Sequence, residues 1–275
     1  MATIDLGQGL SLHYYDLNSS GAPIVILLHG LGATGDSWQL QLPALLESGF
    51  RILTPDMRGF GKSSYPEGPN SPQIMAEDVA SFLNRLKVTS VYVVGISMGG
   101  TIALQFALDH PSMVDSLLLV NTFARLRPKK ISYWIFYSIR FLLIQVLGIP
   151  HQSRFVVKRL FPYPEQEFLR ETFYNQIIQA NPAGYRSTIK SFVNFNVTDR
   201  LCEIQSPTLV VTGDEDTVVP PKTQKELADK IPNADQVVIN NAGHAVIVEK
   251  PEEFNHVMLG FLHKDQGYFS PSINP

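Results

Sequence analysis

The stretch Val91-Tyr92-Val93-Val94-Gly95-Ile96-Ser97-Met98-Gly99-Gly100 constrains this chain more than any other. Four β-prone residues run into a glycine. A serine follows, with a glycine two positions away on each side, and an apolar run at helical spacing comes next (Ile102, Ala103, Phe106, Ala107). The pattern predicts a strand, a very tight turn and a helix, with Ser97 at the apex. Gly95 and Gly99 lack Cβ atoms, so the strand and the helix can approach without clashing. So sharp a turn puts Ser97 in a strained backbone conformation. It holds the hydroxyl clear of the sheet and leaves the Met98 N–H at a helix N-terminus, unpaired within the helix and able to bind an anion.

The flanking sequence has a matching rhythm. Residues 4–17 hold two short alternating stretches around Gly7-Gln8-Gly9 and read as a hairpin at a sheet edge. Residues 23–28 are continuously apolar, as in a strand buried on both faces, and end in His29-Gly30-Leu31-Gly32. A helix over 38–48 and a strand over 51–54 follow, opening into Pro55-Asp56-Met57-Arg58-Gly59-Phe60-Gly61-Lys62-Ser63. Then come a helix over 74–86, the serine turn, and a strand over 115–120. Alternation with short connections predicts a mostly parallel sheet with helices on both faces. Sites in such sheets lie at the carboxyl ends of the strands. His29, Asp56 and Ser97 each follow a strand, so they share one rim.

The rhythm breaks after Asn121. Residues 123 to about 200 are rich in aromatics and helical spacing, divided by Pro128, Pro150, Pro162, Pro164 and Pro182. This reads as an inserted helical cap: residues 1–122 and 203–275 form the α/β core, and residues 123–202 form the cap. The core resumes with a strand over 207–212, a helix over 222–230, a strand over 236–240 and a helix over 251–262. The tail from Gly267 is expected to fray.

A chain of 275 residues suits one large α/β domain carrying an insertion, and 44% hydrophobic against 17% charged residues allows a sizeable core. The net charge of −3 gives no basic excess for nucleic acid. The single Cys202 excludes an internal disulfide framework and argues against a cysteine metal site. The first residues have neither a basic nor an apolar leader region, so the expectation is a soluble, cytoplasmic protein. Residues 131–149 are nearly long enough to span a bilayer. Arg140 sits near their middle, where a charge costs roughly 2.5–3.5 kcal/mol on insertion scales. The expectation is a cap helix whose apolar face covers the site; the alternative is a lid touching a lipid surface.

A serine hydroxyl is a poor nucleophile. It needs a base, a group to orient the base, and donors for the oxyanion that forms. His244 follows the last predicted strand, where Gly243 lets the loop turn sharply and present the ring. The strand ending at Thr212 leads into Gly213-Asp214-Glu215-Asp216. Asp216 is the preferred acid, because it lies far enough from the strand end to reach a histidine loop. Asp214 more readily holds the turn itself. Met98 N–H and Leu31 N–H are the candidate oxyanion donors. His29 reads as structural, its ring bonded to nearby backbone. Asp56 and Arg58, two apart, read as a pair that pins its loop.

Five ordered motifs then resemble the α/β-hydrolase fold superfamily: His29-Gly30-Leu31-Gly32, the stretch from Asp56 to Ser63, Gly95-Ile96-Ser97-Met98-Gly99, the stretch from Gly213 to Pro220, and Gly243-His244. The likeness covers residues 10–262. It implies an eight-stranded sheet with its second strand antiparallel and a cap inserted after the sixth. The family's acid commonly stands three residues after the glycine, which supports Asp216. Serine at position 97 separates the chain from haloalkane dehalogenases and epoxide hydrolases, which use aspartate there. The nearest groups are carboxylesterases, enol-lactonases and C–C bond hydrolases, although Ala33-Thr34-Gly35 departs from the longer oxyanion loop of the last.

The resemblance implies a serine hydrolase acting on carboxylic esters of hydrophobic small molecules, with no metal or organic cofactor. Trp38, Phe60, Phe123 and Trp134 are the expected lining residues. The expected partner is a small-molecule ester; neither nucleic acid nor a membrane is expected, interfacial contact of the cap being the alternative, and the chain is expected to be a monomer or dimer. Enol-lactone or C–C cleavage is the alternative chemistry, and a ligand-sensing protein on the same fold is the alternative class.

Overall fold

The computed structural model describes residues 1–126 and 131–264; the side chains of Ser132, Tyr133, Trp134, Tyr137 and Lys264 are outside the described set, as is the tail expected to fray. Strands β1 (Ala2–Gly7) and β2 (Leu10–Leu17) form the edge hairpin. They are followed by β3 (Ile24–Leu28), β4 (Arg51–Pro55), β5 (Val91–Ile96), β6 (Val114–Val120), β7 (Thr208–Gly213) and β8 (Ala234–Ile239). All join one eight-stranded sheet in the order β1-β2-β4-β3-β5-β6-β7-β8. β2 runs antiparallel to both its neighbours, and every pairing from β4 to β8 is parallel.

The continuous apolar runs have the origin expected of them: alternate side chains feed two cores. In β5, Val91 and Val93 join the cluster on one face of the sheet, while Tyr92, Val94 and Ile96 join the cluster on the opposite face. The first face is covered by α2 (Pro72–Arg85) and α3 (Met98–Asp109), and α8 (Pro221–Lys230) adds Leu227. The second is covered by α1 (Leu42–Glu47) and α10 (Pro251–Lys264). The helix expected over 38–48 is shorter than the sequence suggested. A single 3₁₀ turn over Gly35–Trp38, capped by Thr34, comes first, and α1 starts only at Leu42 with Pro43 in its first turn. Proline fits there because the N–H it lacks would have no helical acceptor. A short helix that the sequence did not announce, α9 (Val246–Glu249), follows His244.

Between β6 and β7 the described chain forms α4 (Ile131–Val146), α5 (Gly148–Leu160), α6 (Glu167–Ile177) and α7 (Pro182–Phe192). The two ends of this excursion meet in a bridge between Arg125 and Asn196, and Val197 N–H donates to Ala124 O at 3.0 Å. The apolar run over 131–149 breaks at Gly148, whose φ of +76° only glycine adopts without strain. Among the described residues, no helix is long and apolar enough to cross a membrane. The inward face of α4 reaches the site but is not wholly apolar. Phe136, Arg140 and Ile144 point inward, while Ile131, Ile135, Leu142 and Val146 are exposed.

Backbones approach closely at the serine turn. A Cβ on Gly99 would stand 2.0 Å from the Leu28 carbonyl oxygen, and both parties are backbone. Gly99→Ala must therefore push α3 off β3. We expect it to destabilise the protein by an amount at or above the upper end of about 1–3 kcal/mol, read from urea or thermal unfolding.

Candidate active site

The site forms where β5, β6, β7 and β8 end. Ser97 sits between β5 and α3 with φ +54° and ψ −113°, a conformation costly for any residue with a Cβ. Neighbours hold it there. Ser97 N–H donates to Val120 O at 2.9 Å, and Ser97 O accepts from Thr101 N at 3.1 Å and from the Thr122 hydroxyl at 2.7 Å.

His244, in the loop after β8, is nearly buried. Its Nε2 lies 2.9 Å from Ser97 Oγ, and its Nδ1 lies 2.8 Å from Asp216 Oδ2. With Nδ1–H donating to the carboxylate, Nε2 is free to accept the serine proton. Asp216 is 3% exposed and densely bonded. Its Oδ1 accepts from Val218 N and Val219 N, both at 2.8 Å. Its Oδ2 also accepts from Asn121 Nδ2 at 2.8 Å and Gln224 Nε2 at 3.0 Å. Asp214 is exposed and accepts from Ala242 N at 3.3 Å, bonding backbone rather than the imidazole.

Leu31, in the loop after β3, lines the cavity beside Ser97, and Met98 is the first residue of α3. Neither backbone N–H has a protein acceptor among the described residues. His29 holds the loop before Leu31. Its Nε2 accepts from Met57 N at 2.9 Å and its Nδ1 donates to Gly30 O at 2.8 Å. Complete burial pushes its pKa below the ordinary histidine value, so the ring is neutral. The expected Asp56–Arg58 pairing does not occur. Asp56 accepts from Gly35 N at 2.8 Å and Lys62 N at 3.0 Å and contacts His13 Nδ1 at 3.0 Å, while Arg58 forks onto Asp78.

The cavity over Ser97 is bounded by core loops below and cap helices above. Phe123 lines it and packs edge-on against Phe192 at 5.7 Å. Trp38 and Phe60 do not line it. The 3₁₀ turn aims Ser37 at the cavity, so Trp38, the next residue, points under the sheet against Phe254. Phe60 lies behind the wall, edge-on to His29 and to Tyr185. The expected lining residue Trp134 has its side chain outside the described residues. Among the described residues, no three His, Cys, Asp or Glu side chains gather as a metal site.

Sequence reasoning missed the residues that support these groups. Asn121 ends β6 with φ +44° and reaches both Asp216 and, at 3.2 Å, Gly243 O. Glu249 grips the backbone on both sides of His244: it accepts from Gly243 N at 3.0 Å and Ala245 N at 2.8 Å. An asparagine at a parallel-strand end was the readable signal. Glu249 offered none, because its role depends on the unforeseen α9.

The fold is that of an α/β hydrolase, and the comparisons agree. A family model described as "alpha/beta hydrolase fold" matches residues 23–251, and the chain belongs to that family. A protein of Serratia proteamaculans named "Putative carbamate hydrolase RutD" is 32% identical over 254 residues, spanning 89% of this chain and 92% of its own. A thermophilic esterase from Thermogutta terrifontis superposes with a TM-score of 0.82 at 28% identity, covering 93% of this chain and 94% of its own. The enol-lactonase from Burkholderia xenovorans LB400 gives 0.85 at 26% identity, covering 93% and 97%. The chain is a hydrolase.

Burial raises the Glu249 pKa above the ordinary carboxylate value. The folded state therefore holds this proton more tightly than the unfolded chain does. The group's stabilising contribution is full below the unfolded value and is lost as pH rises through the folded one. Unfolding free energies of wild type and Glu249→Gln, compared between pH 4 and 7, should show wild type losing ground to the variant as pH rises.

Proposed function

We propose that the protein is a serine hydrolase that cleaves carboxylic esters of small molecules with apolar groups. On this reading Ser97 Oγ attacks the ester carbonyl as His244 Nε2 takes its proton. Asp216 keeps the imidazole in the required tautomer and stabilises its cationic form. Leu31 and Met98 N–H groups receive the oxyanion; one such donor is typically worth ~2.7–4 kcal/mol of transition-state stabilisation. The tetrahedral intermediate collapses, the leaving alcohol takes the proton from His244, and an acyl group remains on Ser97. Water, deprotonated by the same imidazole, attacks the acyl carbon and releases the acid.

The reading rests on one observation: the unbroken hydrogen-bond chain from Ser97 through His244 to Asp216, at 2.9 and 2.8 Å. The apolar lining, with Phe123, Leu160 and Phe192, supports an apolar group next to the carbonyl. A second reading, carbamate cleavage, is favoured by the name of the Serratia relative. It needs the same nucleophile and base, because a carbamate also presents an electrophilic carbonyl carbon.

p-Nitrophenyl acyl esters assayed beside p-nitrophenyl carbamates separate the two. Multiple turnover of the esters at higher kcat/KM is the expected result, and a preference for carbamates overturns the ester assignment. Ser97→Ala should lower kcat by on the order of 10⁴-fold or more while the thermal midpoint holds. Asp216→Asn should cost on the order of 10⁴-fold in kcat. Asp214→Asn should cost far less, and a larger loss there would reassign the acid.

A further inference from the structure

The cap places a cation in the cavity wall that the proposed ester chemistry does not use. Arg140, on the inward face of α4, lines the same cavity as Ser97 and His244 and is only 9% exposed. Its Nη2 donates to the Tyr185 hydroxyl at 2.9 Å, and its Nε has no partner. Among the described residues no carboxylate forms an ion pair with it, in contrast to Arg51, Arg58, Arg170 and Arg200. The cavity around it is apolar, with Val156, Leu160, Phe173 and Ile177.

A guanidinium stays charged throughout the physiological range. A phenol oxygen accepts a hydrogen bond but supplies no countercharge. Burying a cation without one is strongly unfavourable, and a position chosen for stability alone would hold methionine or leucine. The cost is relieved if an anion enters the cavity. A carboxylate suits best, because the guanidinium fork meets its two oxygens with paired, charge-assisted hydrogen bonds.

We propose that Arg140 receives a carboxylate carried by the substrate, so that the ester cleaved at Ser97 is apolar in its middle and anionic at its far end. Half-esters of dicarboxylic acids are the simplest members of this class. The proposal rests on the ester-hydrolase reading for its chemistry and on Arg140 alone for its specificity.

The test compares p-nitrophenyl half-esters of succinate, glutarate and adipate with chain-matched neutral p-nitrophenyl esters. For the best length, wild type should favour the half-ester by roughly ten- to hundredfold in kcat/KM. Arg140→Met should lower that ratio at least tenfold, mainly through KM, and Arg140→Lys should restore part of it. A wild-type ratio near one, or a ratio that Arg140→Met does not change, overturns the proposal. Calorimetric binding of glutarate and adipate to Ser97→Ala, against the neutral diamides, supplies a readout without turnover. If wild type hydrolyses no ester, the ester reading fails and the calorimetry decides the anion site: selective dicarboxylate binding supports it, and no binding overturns it. If Arg140→Met does not fold, the wild-type ratio and the calorimetry decide in the same way.

Discussion

Everything at this site depends on one bend in the backbone. Ser97 occupies a conformation that a residue with a Cβ adopts only under compulsion. The compulsion comes from three directions. β5 fixes its N-terminal side, α3 starts at the next residue, and Val120 O and the Thr122 hydroxyl hold its peptide groups. Close backbone packing makes this possible: a side chain on Gly95 or Gly99 would collide with backbone at 2.4 or 2.0 Å. The result is a hydroxyl raised above the sheet rim, where loops from two distant strands converge on it. His244 arrives from β8 and Asp216 from β7, and those strands are hydrogen-bonded neighbours. Sheet order thus brings together residues 147 and 28 positions apart in the chain.

The cap is fastened to the same loops that carry these groups. Arg159 Nε, near the end of α5, donates to Thr217 O at 3.0 Å, one residue beyond Asp216, and the Thr217 hydroxyl donates back to Arg159 O at 3.1 Å. Tyr163 OH donates to Glu215 at 2.8 Å, and Gln166 reaches Glu249 at 3.3 Å. These contacts flank the acid and the histidine without touching the reacting atoms. These contacts tie the position of the segment after β6 to that of the Asp216 and His244 loops.

Much of this was legible in the sequence because glycine and strand periodicity are local signals. Ser97, Asp216 and His244 each lie just beyond a glycine-marked strand end, and the sheet order brings those ends together. The residues that went unread act over long range. Asn121 and Gln224 serve Asp216, and Glu249 serves His244, through contacts that exist only once the sheet has assembled. Arg58 pairs with Asp78 of α2 rather than with nearby Asp56 for the same reason. Trp38 lies a single position from the cavity wall: in a 3₁₀ turn one residue separates that wall, at Ser37, from the opposite core. Helices between β6 and β7 could be read from the prolines and helical spacing there, but the facing of α4 could not. Its aliphatic residues outnumber its polar ones, and only the packing shows that Arg140 points inward while Ile131 and Leu142 point out.

Two buried charges, Asp216 behind His244 and Arg140 in the cavity wall, are treated in opposite ways. Asp216 has donors on both oxygens, so its charge is met entirely within the protein. Arg140 has a neutral phenol on one nitrogen and no partner on Nε. The same chain that surrounds Asp216 with amides, an asparagine and a glutamine offers Arg140 no carboxylate among the described residues, although its sequence has 25 acidic residues. None of those falls between Asp115 and Glu165, the stretch that contains both α4 and α5. A charge that the protein needs for its own alignment is satisfied before any ligand arrives. A charge left open in the wall of the same cavity is satisfied by what enters, and it sets which molecules enter favourably.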